Sequence, residues 1–337
     1  MKNEVKRYTF FKTLVLLSVT LVIVSGTNNV LGAQKKFPSK AVTIIVPFTV
    51  GGGTDAWQRT FAAALSSKKF LRVDVSVSNL PGGQDLRGIG ECFKSKPDGY
   101  TLCAFNPPSS PFAWYLHKPK WDIRKLTGIT VYAKDPQILV ARAGYASKDL
   151  KSLMAALKAG RQPKVGLSGI GGMEHISSLL FSKRFDVPLE KFIPYNATSD
   201  VISALIRNEV DIAFGSFTAM QPAIAEGRLV GVALAGQTTR SAVIPDVPTF
   251  SEFGDPLLEL NFSRSVYAPP GLPKDRQQVL EKAFIKAQQK DILLQARFKH
   301  YNIQPALGTG EDAEAQLTRA LRVAEDLAIE KLIKKKK

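Results

Sequence analysis

Val42-Thr-Ile-Ile-Val-Pro-Phe-Thr-Val-Gly-Gly-Gly-Thr-Asp-Ala-Trp-Gln-Arg-Thr-Phe61 sets an apolar, β-branched run against three glycines and then against an amphipathic stretch. The pattern predicts a strand over Val42–Val46, a turn at Gly51, Gly52 and Gly53 that lets the backbone approach a ligand, and a helix capped by Thr54 or Asp55. Trp57, Phe61 and Leu65 recur at helical spacing and form the buried face of that helix. Free N–H groups and the positive end of the helix dipole then face whatever lies beyond the strand, which makes the turn an anion site. A weaker copy follows in the other half, where Lys164-Val-Gly-Leu-Ser-Gly-Ile-Gly-Gly172 leads into a segment carrying Ile176, Leu179 and Leu180. Two such turns, one in each half, suggest a ligand held between two domains.

Working outward, the amino terminus carries Lys2, Lys6, Arg7 and Lys12, then the apolar run Leu14–Val24, then small residues at Gly32 and Ala33. This is the layout of a cleavable secretory leader, residues 1–33, with cleavage after Ala33; an uncleaved anchor is the alternative, but the apolar core is short for a span. No cysteine stands near the cleavage point, which excludes a lipid anchor there. The expected location is the periplasm. Removing the leader takes away four basic residues and one acid, so the formal charge falls from +17 to +14. Such a field favours anionic small molecules or an anionic membrane surface. Nucleic acid is not an expected partner, because the basic residues are scattered and the one dense run, Lys334–Lys337, reads as a solvated tail. Cys92 and Cys103 fall on a helix and the strand after it, and are read either as a disulfide or as two buried thiols.

Strand-like and helix-like segments alternate along the chain, the α/β signature. Strands are expected at Val73–Val77, Tyr100–Phe105, Ile129–Tyr132, Ile138–Ala141, Phe192–Tyr195, Asp211–Phe214, Val230–Ala235 and Phe262–Ala268. Helices are expected at Asp85–Lys96, Leu150–Leu157, Ser199–Arg207, Ala219–Ala225, Lys274–Gln289 and Ala313–Ile333, with Asn106–Pro111 as a rigid loop. The late return of the chain to its first half suits a bilobed periplasmic binding protein, type II-like, with a cleft between the lobes. Domain 1 is then 34–137 with 260–337, domain 2 is 138–259, and closure is a hinge motion through crossings near 135–142 and 255–265.

These residues together resemble the extracytoplasmic solute-binding receptors of tripartite tricarboxylate transporters, the Bug or TctC family. The resemblance rests on Phe37-Pro38-Ser39-Lys40, Val46-Pro47-Phe48 before Gly51-Gly52 and Thr54-Asp55, Asn79 with Pro81-Gly82, and Pro97-Asp98-Gly99-Tyr100-Thr101-Leu102. It continues through Gly166, Ser168-Gly169, Gly171, His175, Pro194-Tyr195, Asp211–Phe214, Pro245–Thr249 and Ala268–Pro273. It implies a receptor, working as a monomer without a cofactor, that closes on a small organic anion, usually a carboxylate. The ligand passes to a membrane carrier of one large and one small subunit driven by an ion gradient. It further implies that Phe48, Gly51, Gly52, Thr54 and Asp55 line one side of the cleft and Ser168, Gly169, Gly171 and His175 the other, with Tyr195 and Phe214-Gly215-Ser216 completing the pocket. The chain departs from the family pattern at Asn196 and Ala197, where a basic residue and a glycine are common, and at Gly215, where Asp is frequent. Gln84, Asp85 and Arg87 also replace small residues, so the ligand is open.

Each site residue has a plainer reading. Asp55 meets a ligand donor or only caps its helix, Phe48 packs on ligand or closes a core, Trp57 belongs to the core, and His175 meets a carboxylate or merely completes a helix start. Trp114 and Tyr115, in a loop after several prolines, could shape the cleft mouth. Enzyme signals are poor. Gly166-Leu167-Ser168-Gly169-Ile170 lacks the final glycine of a nucleophile elbow, and no phosphate-binding loop or full dinucleotide fingerprint occurs. Three histidines and two cysteines offer no metal-type spacing. A receptor presenting its ligand to a membrane sensor, and an exported hydrolase using Ser168, are the alternatives.

Overall fold

Val42–Val46 is a strand buried on nearly every residue, which is why it reads as a continuous β-branched run rather than an alternating one. The computed structural model describes residues 36–145, 149–255, 261–301, 303 and 305–334. The expected leader and residues 335–337 lie outside the described residues, as do 256–260 within the second expected crossing. Strands β1 (Val42–Val46), β2 (Val75–Asn79), β3 (Thr101–Phe105) and β4 (Thr127–Asp135) open a first sheet. The chain then passes through Pro136 alone into β5 (Gln137–Arg142), followed by β6 (Lys164–Leu167), β7 (Lys191–Pro194), β8 (Ile212–Ser216) and β9 (Leu229–Ala235). These five make a second sheet, and β10 (Phe262–Ala268) returns to complete the first.

Both sheets follow one plan. Their orders are β2-β1-β3-β10-β4 and β7-β6-β8-β5-β9. In each, three parallel strands abut a single strand that runs antiparallel to both its neighbours: β10 in the first sheet and β5 in the second. In each sheet that antiparallel strand is the one reached by crossing from the other.

The helices follow their strands. α1 (Gly53–Ser66), α2 (Leu86–Lys94) and α3 (Ser109–His117) come after β1, β2 and β3; α4 (Leu150–Lys158) follows β5, and α5 (Met173–Arg184), α6 (Thr198–Ile206) and α7 (Phe217–Ala225) follow β6, β7 and β8. Trp57, Phe61 and Leu65 on α1 are all buried, and Trp57 packs against Tyr132 and Phe298, which makes it a core residue. The chain closes with α8 (Lys274–Lys290), α9 (Ile292–His300), α10 (Gly310–Asp326) and α11 (Ile329–Lys334). α10 packs on β4 and α3, whereas α11 packs on α5, so the carboxyl end touches elements of both sheets.

Several expectations need correction. The cap of α1 is Gly52, with no side-chain bond, not Thr54 or Asp55. The Asn106–Pro111 stretch is a loop only as far as Pro108; Pro111 sits in the first turn of α3, where it forfeits no helical hydrogen bond. Trp114 and Tyr115 therefore lie on a helix, with the Trp114 indole donating to the Trp121 carbonyl at 2.8 Å. The single helix expected at Ala313–Ile333 is two, broken where Ala328 takes a positive φ of 46°. α9, which carries little periodicity, was not expected. Cys92 and Cys103 are free buried thiols, the second of their two readings, and burial pushes the Cys92 thiol well up.

The docking of α10 on β4 depends on two glycines in contact. A Cβ at Gly128 would lie 2.2 Å from the Gly310 carbonyl oxygen, while the Gly128 N–H donates to Glu314 at 3.0 Å and its carbonyl accepts from Gln277 at 2.8 Å. Gly128→Ala is expected to destabilise the protein by about 1–3 kcal/mol, the usual cost of forced overpacking, read as a lower denaturant midpoint with unchanged slope.

Candidate functional site

A cavity of about 530 Å³ lies at the carboxyl ends of the parallel strands of the two sheets, the usual position for a ligand crevice in α/β folds. One wall comes from Pro47–Thr49 and Gly52–Thr54 after β1, Pro81–Asp85 after β2, and Asn106 and Ser109 after β3. The facing wall comes from Ser168, Gly169, Gly172 and Glu174 after β6, Pro194–Thr198 at β7, and Ser216 and Ala219 at α7, with Phe262 and Arg264 of β10 joining them.

The two glycine turns are built alike. Gly51 and Gly171 have φ of 86° and 87°, a conformation that favours glycine, and Gly52 and Gly172 are extended helix caps with no side-chain bond. In each turn the first glycine's N–H is tied by the side chain four residues on: Gly51 donates to Asp55 Oδ2 at 2.9 Å, and Gly171 to His175 Nδ1 at 3.0 Å. Asp55 also accepts from Arg59 at 3.0 Å and Asn79 at 2.8 Å. Burial works to raise the Asp55 pKa, but these donors outweigh it and the net direction is downward. Both side chains thus shape their turns from behind. α6 and α7 also start at the cavity; neither N-cap residue bonds its own helix, but in α7 the Thr218 N–H donates to Asp135 Oδ1 at 3.2 Å and the Phe217 N–H to the Pro136 carbonyl at 2.8 Å. Four helix starts therefore converge on one space; Glu174 takes up its own N–H at the start of α5, while the caps Gly52 of α1 and Ala197 of α6 bring no side-chain bond to their first turns, a favourable setting for negative charge.

A buried polar network runs between the walls. Arg264, 3% exposed, donates Nε to Asp135 Oδ2 at 2.9 Å, forms a second bond to the same oxygen through Nη2, and reaches Thr54 at 3.1 Å, Ser216 at 3.1 Å and Thr218 at 2.9 Å. Burial opposes the Arg264 charge, yet Asp135 outweighs it and the guanidinium is held above its ordinary value. Asn106 donates to Thr54 at 2.8 Å, and Ser110 donates to Asp85 at 2.5 Å.

Asp85 ends a run of four positive-φ residues from Gly82, with φ of 71°. Its carboxyl is pushed up to about 8, first by burial and further by the charge of Glu174, against the opposing bond from Ser110. Glu174 is raised as well, by burial, although the Ser168 hydroxyl and its own backbone N–H counter this. Neighbouring Gln84 meets His117 Nε2 at 2.5 Å and reaches the other turn, where a Cβ at Gly169 would come 3.2 Å from its amide nitrogen.

Of the residues singled out from sequence, Phe48, Gly52, Thr54, Ser168, Gly169, Tyr195 and Ser216 lie together on the cavity wall. Gly51, Asp55, Gly171 and His175 stand behind it, holding the turns. Phe214 is buried, stacked on Phe250 at 6.0 Å, and Gly215 is a packing glycine, since a Cβ there would meet Met220 Cε at 2.4 Å. Arg264, Asn106 and Glu174 escaped notice. The signal for Arg264 was available: it is the lone charge in the strand Phe262–Ala268.

The model of the tripartite tricarboxylate transporter family receptors matches residues 59–317. Protein BugT of Bordetella pertussis is 28% identical over 279 residues, covering 81% of this chain and 83% of that relative. A solved periplasmic transporter has the same fold, with a TM-score of 0.81 at 26% identity over 87% of this chain and 97% of its own. So has MatC from Rhodopseudomonas palustris, solved with bound malate, with a TM-score of 0.77 at 24% identity over 88% of this chain and 100% of its own. The fold is the two-lobed α/β fold of periplasmic binding proteins, and family and fold alike are those of solute-binding proteins.

Two outcomes follow from the buried charges. Asp135→Asn leaves Arg264 without its counter-charge and is expected to cost about 3–5 kcal/mol in denaturant unfolding. Asp85 has a folded pKa above its unfolded value, so between about pH 4 and about pH 8 the native state holds a proton that the unfolded chain has lost. Stability therefore falls as pH rises through that window. Asp85→Asn should raise the melting temperature at pH 8 and leave it unchanged at pH 4; equal shifts at both would contradict the assignment.

Proposed function

The chain belongs to the family of tripartite tricarboxylate transporter receptors, and from that premise we propose that it captures a small organic anion carrying a carboxylate. The anion would sit in the cavity between its lobes and be delivered to the large and small membrane subunits of such a transporter. The observation that carries this reading is the convergence of four helix starts on one cavity, those of α1 and α6 with no side-chain bond from their caps, and with Arg264, the cation in its wall, already committed to Asp135. Peptide N–H groups can hold a carboxylate without a competing salt bridge. MatC, which shares the fold, holds malate, a carboxylate.

The lobes of the proposal are 34–137 with 260–337, and 138–259, as the membership of the two sheets supports. Closure would turn on the Pro136 crossing and the return into β10, where a ligand touching both glycine turns bridges both lobes and so favours the closed state. The receptor reading needs no catalysis. What supports a receptor over a serine–histidine hydrolase is that Ser168 bonds to Glu174 and that His175 Nδ1 accepts from Gly171.

Thermal unfolding against mono-, di- and tricarboxylates, aromatic acids, amino acids and neutral sugars tests the proposal. A true ligand at 100 times its dissociation constant adds about 2.7 kcal/mol, a readily measured shift. The expected result is a saturable shift with carboxylates, none with neutral sugars, and no chemical change in the compound. Ser168→Ala should weaken the shift without abolishing it; turnover that vanishes in this variant would replace the receptor reading by the hydrolase one.

A further inference from the structure

Lys282, Lys286 and Lys290 follow one another at successive turns of α8, all exposed, and Val279 begins the same stripe. The basic surface continues beyond that helix. Lys286 Nζ donates to the Lys69 carbonyl at 3.1 Å and lies 5.8 Å from the centre of the Phe70 ring, so the loop after α1, with Lys68, Lys69 and Arg72 exposed, adjoins the stripe. α9 packs on both α1 and α8. Its first two residues, Ile292 and Leu293, come directly after Lys290 and Asp291 and are 83% and 60% exposed.

The acids of these segments leave the lysines uncompensated. Glu281 accepts from the Gly310 N–H at 2.7 Å, and Asp291 caps α9 by accepting from Leu293 and Leu294 at 3.0 Å. Asp74 and Asp275 stand at the margins, past Arg72 and in the first turn of α8. No ion pair among the described residues engages Lys68, Lys69, Lys282, Lys286 or Lys290.

Two adjacent aliphatic side chains held in water beside unpaired lysines call for a partner that is both anionic and apolar. Nucleic acid offers phosphates but gives Ile292 and Leu293 nothing to enter. A lipid interface offers both at matching depths: aliphatic tips reach the acyl boundary while lysine ammonium groups stay among the phosphates. α1 begins in the cavity wall with Gly53 and Thr54, and the lysine loop follows its last turn, about 20 Å away at 1.5 Å per residue. A surface engaged there leaves the cavity accessible.

We propose that the α8 lysines, with Lys68 and Lys69, surround Ile292 and Leu293 as a docking face for an anionic lipid membrane. The inference is independent of what the cavity binds.

Flotation of the purified exported protein with vesicles tests it, using phosphatidylcholine alone and phosphatidylcholine mixed with phosphatidylglycerol. The protein should float with the mixed vesicles only, and less as salt rises. Replacing three lysines together, Lys282→Gln, Lys286→Gln and Lys290→Gln, should weaken partition on the order of a hundredfold, about fivefold for each. Ile292→Ser with Leu293→Ser should weaken it about tenfold, with the charge unchanged. Lys120→Gln, Lys183→Gln and Lys191→Gln together, exposed lysines elsewhere on the surface, should cost far less. An unchanged melting temperature certifies each variant as folded. Absence of flotation with mixed vesicles, equal losses in the two lysine variants, or full partition by the serine variant overturns the docking face. Retention on polyglutamate without flotation also overturns it, in favour of an acidic protein segment.

Discussion

The bond between Arg264 and Asp135 sits where the chain crosses between its two sheets in both directions. Asp135 is the last residue of β4, immediately before the Pro136 crossing; Arg264 lies on β10, just after the chain has come back. Around them stand Thr54 from the first glycine turn and Ser216 and Thr218 from the end of β8 and the start of α7. An ion pair this deep contributes little net stability over an apolar substitute, but loss of one member strands the other. Its value lies in geometry: it fixes the outward and returning strands, the first helix start and the second-sheet helix start to a single point.

That commitment decides what the cavity can offer an anion. With the guanidinium turned to Asp135, attraction in the wall must come from peptide dipoles, which are fixed in direction and not lost to side-chain motion. The first glycine turn supplies them because Gly52 brings no side-chain cap and Asp55 approaches from behind to bond Gly51 instead; in the second, His175 likewise bonds Gly171, but Glu174 takes up its own N–H. The acidic residues behind and beside the turns therefore act on opposite sides of the problem: Asp55 is well supplied with donors and lowered, Asp85 is short of them and raised.

Much of the architecture was legible in sequence because it is written in local patterns. β1 and β10 begin and end where hydrophobic composition put them, and the buried stripe of Trp57, Phe61 and Leu65 is the core face of α1. Boundaries slipped where chemistry was ambiguous: β2 lies two residues late because its exposed edge carries serines, and the break at Ala328 has no glycine or proline to mark it. The site was legible only in part for a different reason. Its backbone elements, the glycines, are announced by their own residue types, whereas Arg264, Asn106 and Glu174 reach the cavity through the way two distant sheets face each other. Phe214 and Gly215 fell on the right strand, but packing against Phe250 and Met220 removes them from the wall.

The two turns share a scaffold and differ in cargo. Gly51 and Gly171, Gly52 and Gly172, and Asp55 and His175 occupy matching places, which sets Thr54 against Glu174 at the cavity face. Thr54 is neutral and already shared between Asn106 and Arg264; Glu174 is a carboxyl paired with Ser168 and pressed upward by burial. A scaffold repeated in both lobes would by itself offer anions the same reception from each side. Placing a carboxyl at one of the two equivalent positions breaks that equivalence: Glu174 takes up its own backbone N–H at the second turn, while Thr54 leaves the peptide donors of the first without a carboxyl beside them.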